Sequence, residues 1–207
     1  MPTVTVRRWT AALALAIVTA APVLVARQEP PGVVFVGSSI FRRWTALATQ
    51  MAPLPVANVS FDGATTYDLL GLLGSRVIPR KPKVVVYYGG SNDVDLDEPP
   101  AAIAGRVTQF IDRLEAALPG TRFVFVSVNR SPDHQDLWSV VDEVNRQVQV
   151  YATTHPLVQF VDVNPVLFSV DGSSRLDLFM ADQRHLRPAA YQEFAKILKP
   201  ILARAVQ

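Results

Sequence analysis

Short apolar runs alternate with amphipathic stretches five times along the chain. The first run, Val34-Phe35-Val36, follows Pro31-Gly32, stops at Gly37 and predicts a buried strand. Ile40, Trp44, Leu47 and Met51 then fall on one face of a 3.6-residue period and predict a helix, which Pro53 and Pro55 end. Val56 to Ser60 predicts a short second strand closed by Asp62-Gly63. A helix from about Thr65 to Val77 follows, carrying Leu69, Leu70, Leu72, Leu73 and Val77. The strongest strand signal is Val84-Val85-Val86-Tyr87-Tyr88, ending in Gly89-Gly90-Ser91-Asn92-Asp93. Pro99-Pro100 opens a helix with an apolar stripe from Ile103 to Leu118, and Pro119-Gly120 ends it. Arg122 to Val128 reads as a fourth strand. The loop Asn129 to His134 leads to a helix with Trp138, Val141, Val144, Val148 and Tyr151 inward, so Trp44 and Trp138 are both expected in the core. Pro156 precedes a fifth strand, Val158 to Val163. A polar stretch from Asn164 to Arg184 leads to a last helix, Pro188 to about Ala203.

Strands that are continuously apolar, rather than alternating, are buried on both faces, which is the mark of a parallel sheet covered by helices. Right-handed crossovers then give an α/β fold, a three-layer α/β/α sandwich with a five-stranded parallel sheet. Ligands in such sheets bind at the carboxyl ends of the strands, where the strand order reverses. The 207 residues, 49% of them hydrophobic and 18% charged, suit one globular domain with a full core.

Charge changes the picture at one end. Residues 1–26 hold Arg7 and Arg8 and no acidic residue, so the remainder carries 18 basic against 18 acidic side chains and gives no electrostatic case for nucleic acid. Arg7-Arg8 followed by the apolar stretch Trp9 to Ala26 reads as an export signal, with cleavage after Ala26 and residues 27–207 as the mature domain. The stretch is also about long enough to remain as an uncleaved membrane anchor. Either way the protein is expected to be secreted or periplasmic. With no cysteine, disulfides, thiolate metal sites and thiolate nucleophiles are excluded.

The carboxyl-edge rule reduces the search for chemistry to a few loops. The first strand ends at Gly37-Ser38-Ser39, the second at Phe61-Asp62-Gly63-Ala64-Thr65 and the third at Gly90-Ser91-Asn92-Asp93. After the fifth comes Asp182-Gln183-Arg184-His185. A serine between strand end and helix start suits a nucleophile, and equally suits a helix N-cap. Together the loops offer a hydroxyl, a glycine N–H, a carboxamide and an Asp three residues before a His. Those are the parts needed for acyl transfer by a serine nucleophile.

These four stretches resemble, in order, the blocks of the SGNH (GDSL-type) hydrolase superfamily, and the match covers essentially residues 33–200. The resemblance implies a flavodoxin-like sheet and a catalytic Ser39, Asp182 and His185. It implies an oxyanion hole from Ser39, Gly63 and Asn92, and no cofactor or metal. Ser38 stands where the family usually has Asp, and Ala190-Tyr191 where it usually has Gly-Tyr. The sequence also looks similar to exported platelet-activating-factor-acetylhydrolase-like members, which favours short acyl groups. Acetyl esters of small molecules, lipids or carbohydrates are then the expected substrates. The rival reading is a glycan- or lipid-binding protein on the same scaffold, without turnover.

The remaining candidates are weaker. His155, before Pro156, reads as a helix-end cation. His134 sits in a loop that could rim the site. Asp177, Asp182 and His185 make a poor metal set for lack of defined spacing. No Gly-x-Ser-x-Gly elbow, phosphate loop or dinucleotide fingerprint occurs. The loops 91–100, 129–137 and 164–181 are expected to select the substrate.

Overall fold

A computed structural model of the chain describes residues 1–3 and 32–207. The expected export signal therefore lies almost wholly outside the described residues. The five strands are β1 (Val33–Gly37), β2 (Val56–Asn58), β3 (Val84–Tyr88), β4 (Arg122–Val126) and β5 (Val158–Val161). They form one sheet in the order β2-β1-β3-β4-β5, with every pair parallel. The order reverses between β1 and β3, as in a flavodoxin-like sheet, so the crevice lies where Gly37 pairs with Tyr88.

Seven helices cover the sheet: α1 (Ser39–Arg42), α2 (Leu47–Met51), α3 (Thr66–Leu72), α4 (Ser91–Asp95), α5 (Pro100–Ala117), α6 (Trp138–Thr153) and α7 (Pro188–Ala205). Alternate strand residues face opposite layers. Val33, Phe35, Val84, Val86 and Tyr88 pack with Phe41, Trp44, Met51 and the Tyr191–Leu202 stripe of α7. Val34, Val36, Val85, Tyr87 and Phe125 pack with α3, α5 and α6 on the other side. The α/β/α sandwich expected from the apolar strands is thus the observed architecture.

Several boundaries differ from the periodicity. The apolar positions 40, 44, 47 and 51 are all buried, but the chain breaks into α1 and α2 between them. The break lets Trp44 enter the core, where its ring stacks on Tyr191 at 5.2 Å while its Nε1 donates to Gln50 Oε1. After α3 the chain widens into a π-helical turn over Leu73–Val77. Trp138, expected in the core, is only half-buried: its Nε1 donates to the Ser131 carbonyl and its ring meets Phe168 edge-on. The reason is position, since Trp138 opens α6 at the rim of the sheet rather than along its face. Among the described residues no helix is long and apolar enough to cross a membrane.

Candidate active site

The strand-end loops are held by tight backbone contacts. A side chain at Gly37 would put its Cβ 2.5 Å from the Tyr88 carbonyl, so only glycine lets β1 and β3 close at this point. Ser38 follows with its N–H on the Tyr88 carbonyl and its own carbonyl accepting from Arg42 N. Its hydroxyl caps nothing and has no partner, and the residue is fully buried. Ser39, the first residue of α1, reaches the surface instead, and its Oγ lies 3.0 Å from His185 Nε2. The N-cap alternative therefore fails for both side chains.

His185 is positioned by its own loop. An antiparallel bridge between Phe179 and Leu186 closes the segment, Met180 N donates to the His185 carbonyl, and Gln183 sits in the left-handed region at φ 54°. The turn aims Asp182 Oδ2 at His185 Nδ1, 2.7 Å away, while Asp182 Oδ1 accepts the backbone N–H groups of His185 and Arg184. Desolvation works against ionising Asp182, but the His185 side-chain bond and the two backbone bonds outweigh it and hold the carboxyl down at about 2. An ionised carboxylate only accepts, so Nδ1 carries the proton and Nε2 is the acceptor that faces the Ser39 hydroxyl.

The second and third loops meet beside Ser39. The Asn92 side chain lines the same cavity as Ser39 and donates one Nδ2 hydrogen to the Ala64 carbonyl at 2.8 Å, which leaves the other free. Gly63 adopts φ +74°, and nothing lies within 4 Å of where a Cβ would stand, so its backbone is open to an approaching ligand. Thr65 starts α3 with a reciprocal capping box to Asp68. The cavity at Ser39 is small, about 30 Å³, and is also lined by Tyr88, Asn129, His134 and Arg184. Burial pushes the Tyr88 phenol up to about 12, so it stays a neutral hydroxyl.

Three residues escaped the sequence reading. Asp93 is buried and accepts from Thr66 N, Thr66 Oγ1 and Arg106, locking the third loop to the start of α3. Its place beside Asn92 was the available signal. Arg184 pairs with Asp95, with Asp133 at 2.8 Å and with His134 Nε2 at 2.8 Å, and so ties the His185 loop to two others. Asn129 is treated below. His134 thus lines the cavity, whereas His155 accepts its place at a helix end, with Nδ1 donating to the Tyr151 carbonyl. Asp177 is apart from the cluster, paired with Arg175.

The profile of the GDSL-like Lipase/Acylhydrolase family matches residues 30–193. Solved structures share the fold. A Bacteroides fragilis protein designated an acylhydrolase superposes with a TM-score of 0.77 at 17% identity, covering 87% of this chain and 90% of its own. A Streptococcus pneumonia protein whose designation refers to platelet activating factor gives 0.75 at 22%, covering 86% of each chain. A GDSL-like lipase from Bacteroides thetaiotaomicron gives 0.75 at 19%, covering 86% of this chain and 90% of its own. Among curated proteins none matches this chain.

Proposed function

The chain belongs to the GDSL-like lipase/acylhydrolase family and is an ester hydrolase, and we propose that Ser39 is its nucleophile, His185 its general base and acid, and Asp182 the group that orients His185. The single observation carrying this reading is the continuous line of hydrogen-bonding groups Asp182–His185–Ser39, spanning 146 residues of sequence between its ends. Ser39 Oγ attacks the ester carbonyl carbon as its proton passes to His185 Nε2. The negative charge that develops on the carbonyl oxygen is met by the N–H groups of Ser39 and Gly63 and by the free Asn92 amide hydrogen. Collapse breaks the bond to the alcohol oxygen, which takes the proton from Nε2 and leaves an acyl-Ser39. Water then attacks that acyl group, giving its proton to Nε2. The second collapse frees the carboxylic acid and restores the Ser39 hydroxyl.

Short acyl groups fit this site best. A cavity of about 480 Å³ lined by Trp44, Met180, Leu186 and Tyr191 could hold a chain, but neither Ser39 nor His185 lines it. Each methylene buried would add about 0.8 kcal/mol of binding, and the cavity at Ser39 offers no room for that gain. The expected result is a kcat/KM that does not rise from 4-nitrophenyl acetate through butyrate to octanoate. A steep rise with chain length would contradict the short-acyl reading. The same proposal takes residues 1–26 as an export signal and residues 27–207 as the exported domain, supported by Arg7-Arg8 and the apolar stretch to Ala26. Peptide mapping of protein recovered from the periplasm or medium should find a new amino terminus at Arg27. An intact Met1 in the membrane fraction would contradict cleavage.

A further inference from the structure

We propose that Asn129 reads a hydroxyl on the alcohol half of the substrate, and that the natural substrates are O-acylated carbohydrates whose ring lies across Trp138. The proposal rests on the ester-hydrolase reading of Ser39 and specifies its substrate class. Asn129 follows the end of β4 and is only 5% exposed, yet it lines the cavity that Ser39 opens into. Neither its Oδ1 nor its Nδ2 has a partner in the protein, although its backbone N–H reaches Tyr88 Oη. A buried amide without partners lowers stability, so its presence at a reaction cavity calls for a ligand that uses it.

The chemistry of that ligand follows from the amide. Asn129 presents a donor and an acceptor side by side. A hydroxyl is both, and neighbouring hydroxyls of a sugar ring can satisfy the two ends together. A hydrocarbon chain satisfies neither. The cavity, about 30 Å³, takes one ring substituent and not the ring. The ring must therefore lie outside, and Trp138 is the wall shared with an open groove of about 890 Å³. That groove is lined by Arg130, Asp142, Gln149, Asn164 and Phe168 as well. Arg130 grips Asp142 with two bonds of 2.6 Å and lies over the Trp138 ring at 5.9 Å. A surface of hydrogen-bonding groups around an indole suits a polyhydroxylated ring. A lipid chain laid there would strip water from the Arg130–Asp142 pair and return nothing.

The test compares three substrates on the full chain. They are 4-nitrophenyl acetate, a mono-O-acetylated xylopyranoside with free neighbouring hydroxyls, and 4-nitrophenyl glycolate, whose hydroxyl lies on the acyl half. In Asn129→Leu and Asn129→Ala, the ratio of kcat/KM for the acetylated xylopyranoside to that for 4-nitrophenyl acetate should fall at least about tenfold, because a site built to bond a hydroxyl loses its discrimination. The melting midpoint of Asn129→Leu should stay level or rise, since an unpaired amide has been removed. An unchanged ratio with a lower midpoint would assign Asn129 to packing and overturn the proposal. A selective loss on the glycolate instead would place the hydroxyl on the acyl half and overturn it too. Wild-type turnover of 4-nitrophenyl acetate without turnover of the acetylated sugar would overturn the carbohydrate class alone. Turnover of none of the three would overturn the ester-hydrolase reading itself.

Discussion

Ser38 and Ser39 are neighbours with opposite surroundings, and that contrast decides what each substitution should do. Ser39→Ala removes the attacking oxygen and should lower kcat by about 10⁴-fold or more. Ser38→Ala removes a buried hydroxyl that bonds to nothing, so stability should stay level or rise by up to about 1 kcal/mol. Asp182→Asn should lower kcat by about 10²- to 10⁴-fold, because the amide no longer fixes the imidazole tautomer. The carboxyl of Asp182 is lower in the folded chain, at about 2, than the ordinary value near 3.9 in the unfolded one. Its contribution to stability is therefore full above the ordinary range and is lost as the pH falls through about 2. Urea midpoints of wild type and Asp182→Asn, compared from pH 6 down to 2, should converge at the acid end. The Asp182-x-x-His185 spacing was legible in sequence because both partners sit in one turn. Their meeting with Ser39 was legible only through the rule that parallel strands gather loops at one edge. The empty surroundings of Asn129 were not legible, because an unpaired amide is a property of packing and leaves no trace in residue order.

Elements meet the site through a few polar ties. Asp93 joins α4 to the first residue of α3, and Arg106 of α5 reaches both Asp93 and Thr66 Oγ1. Removing the carboxylate leaves a half-buried guanidinium and two donors unpaired. Asp93→Ala should cost about 3–5 kcal/mol of unfolding free energy, read from a denaturant midpoint. A loss below about 1 kcal/mol would mean that water replaces the carboxylate freely. Tyr191 of α7 plays a comparable part, since its buried hydroxyl donates to the Ile40 carbonyl beside Ser39. Burial pushes that phenol above its ordinary value, so the tie holds across the neutral range. The helices α5, α6 and α7 were readable from their stripes, and the α1–α2 break was not. A 3.6-residue period marks which positions turn inward, and it is blind to a turn that keeps all four of them inward.

For the molecule as a whole, the central feature is the reversal of strand order between β1 and β3. Five parallel strands were evident from their unbroken apolar runs, but their order was not, because every strand is apolar enough to sit beside any other. The order decides function: with β1 and β3 adjacent, Ser39 and Asn92 leave the sheet on either side of one crevice, and the loop after β5 folds back over it. The claim most worth testing is that this crevice activates one serine among neighbours. A fluorophosphonate incubated with the intact protein, followed by peptide mass mapping, reads it directly. A single adduct on Ser39, absent from Ser39→Ala and retained in Ser38→Ala, is the result expected. An adduct on Ser38, or a folded wild-type protein that takes no label, would contradict it.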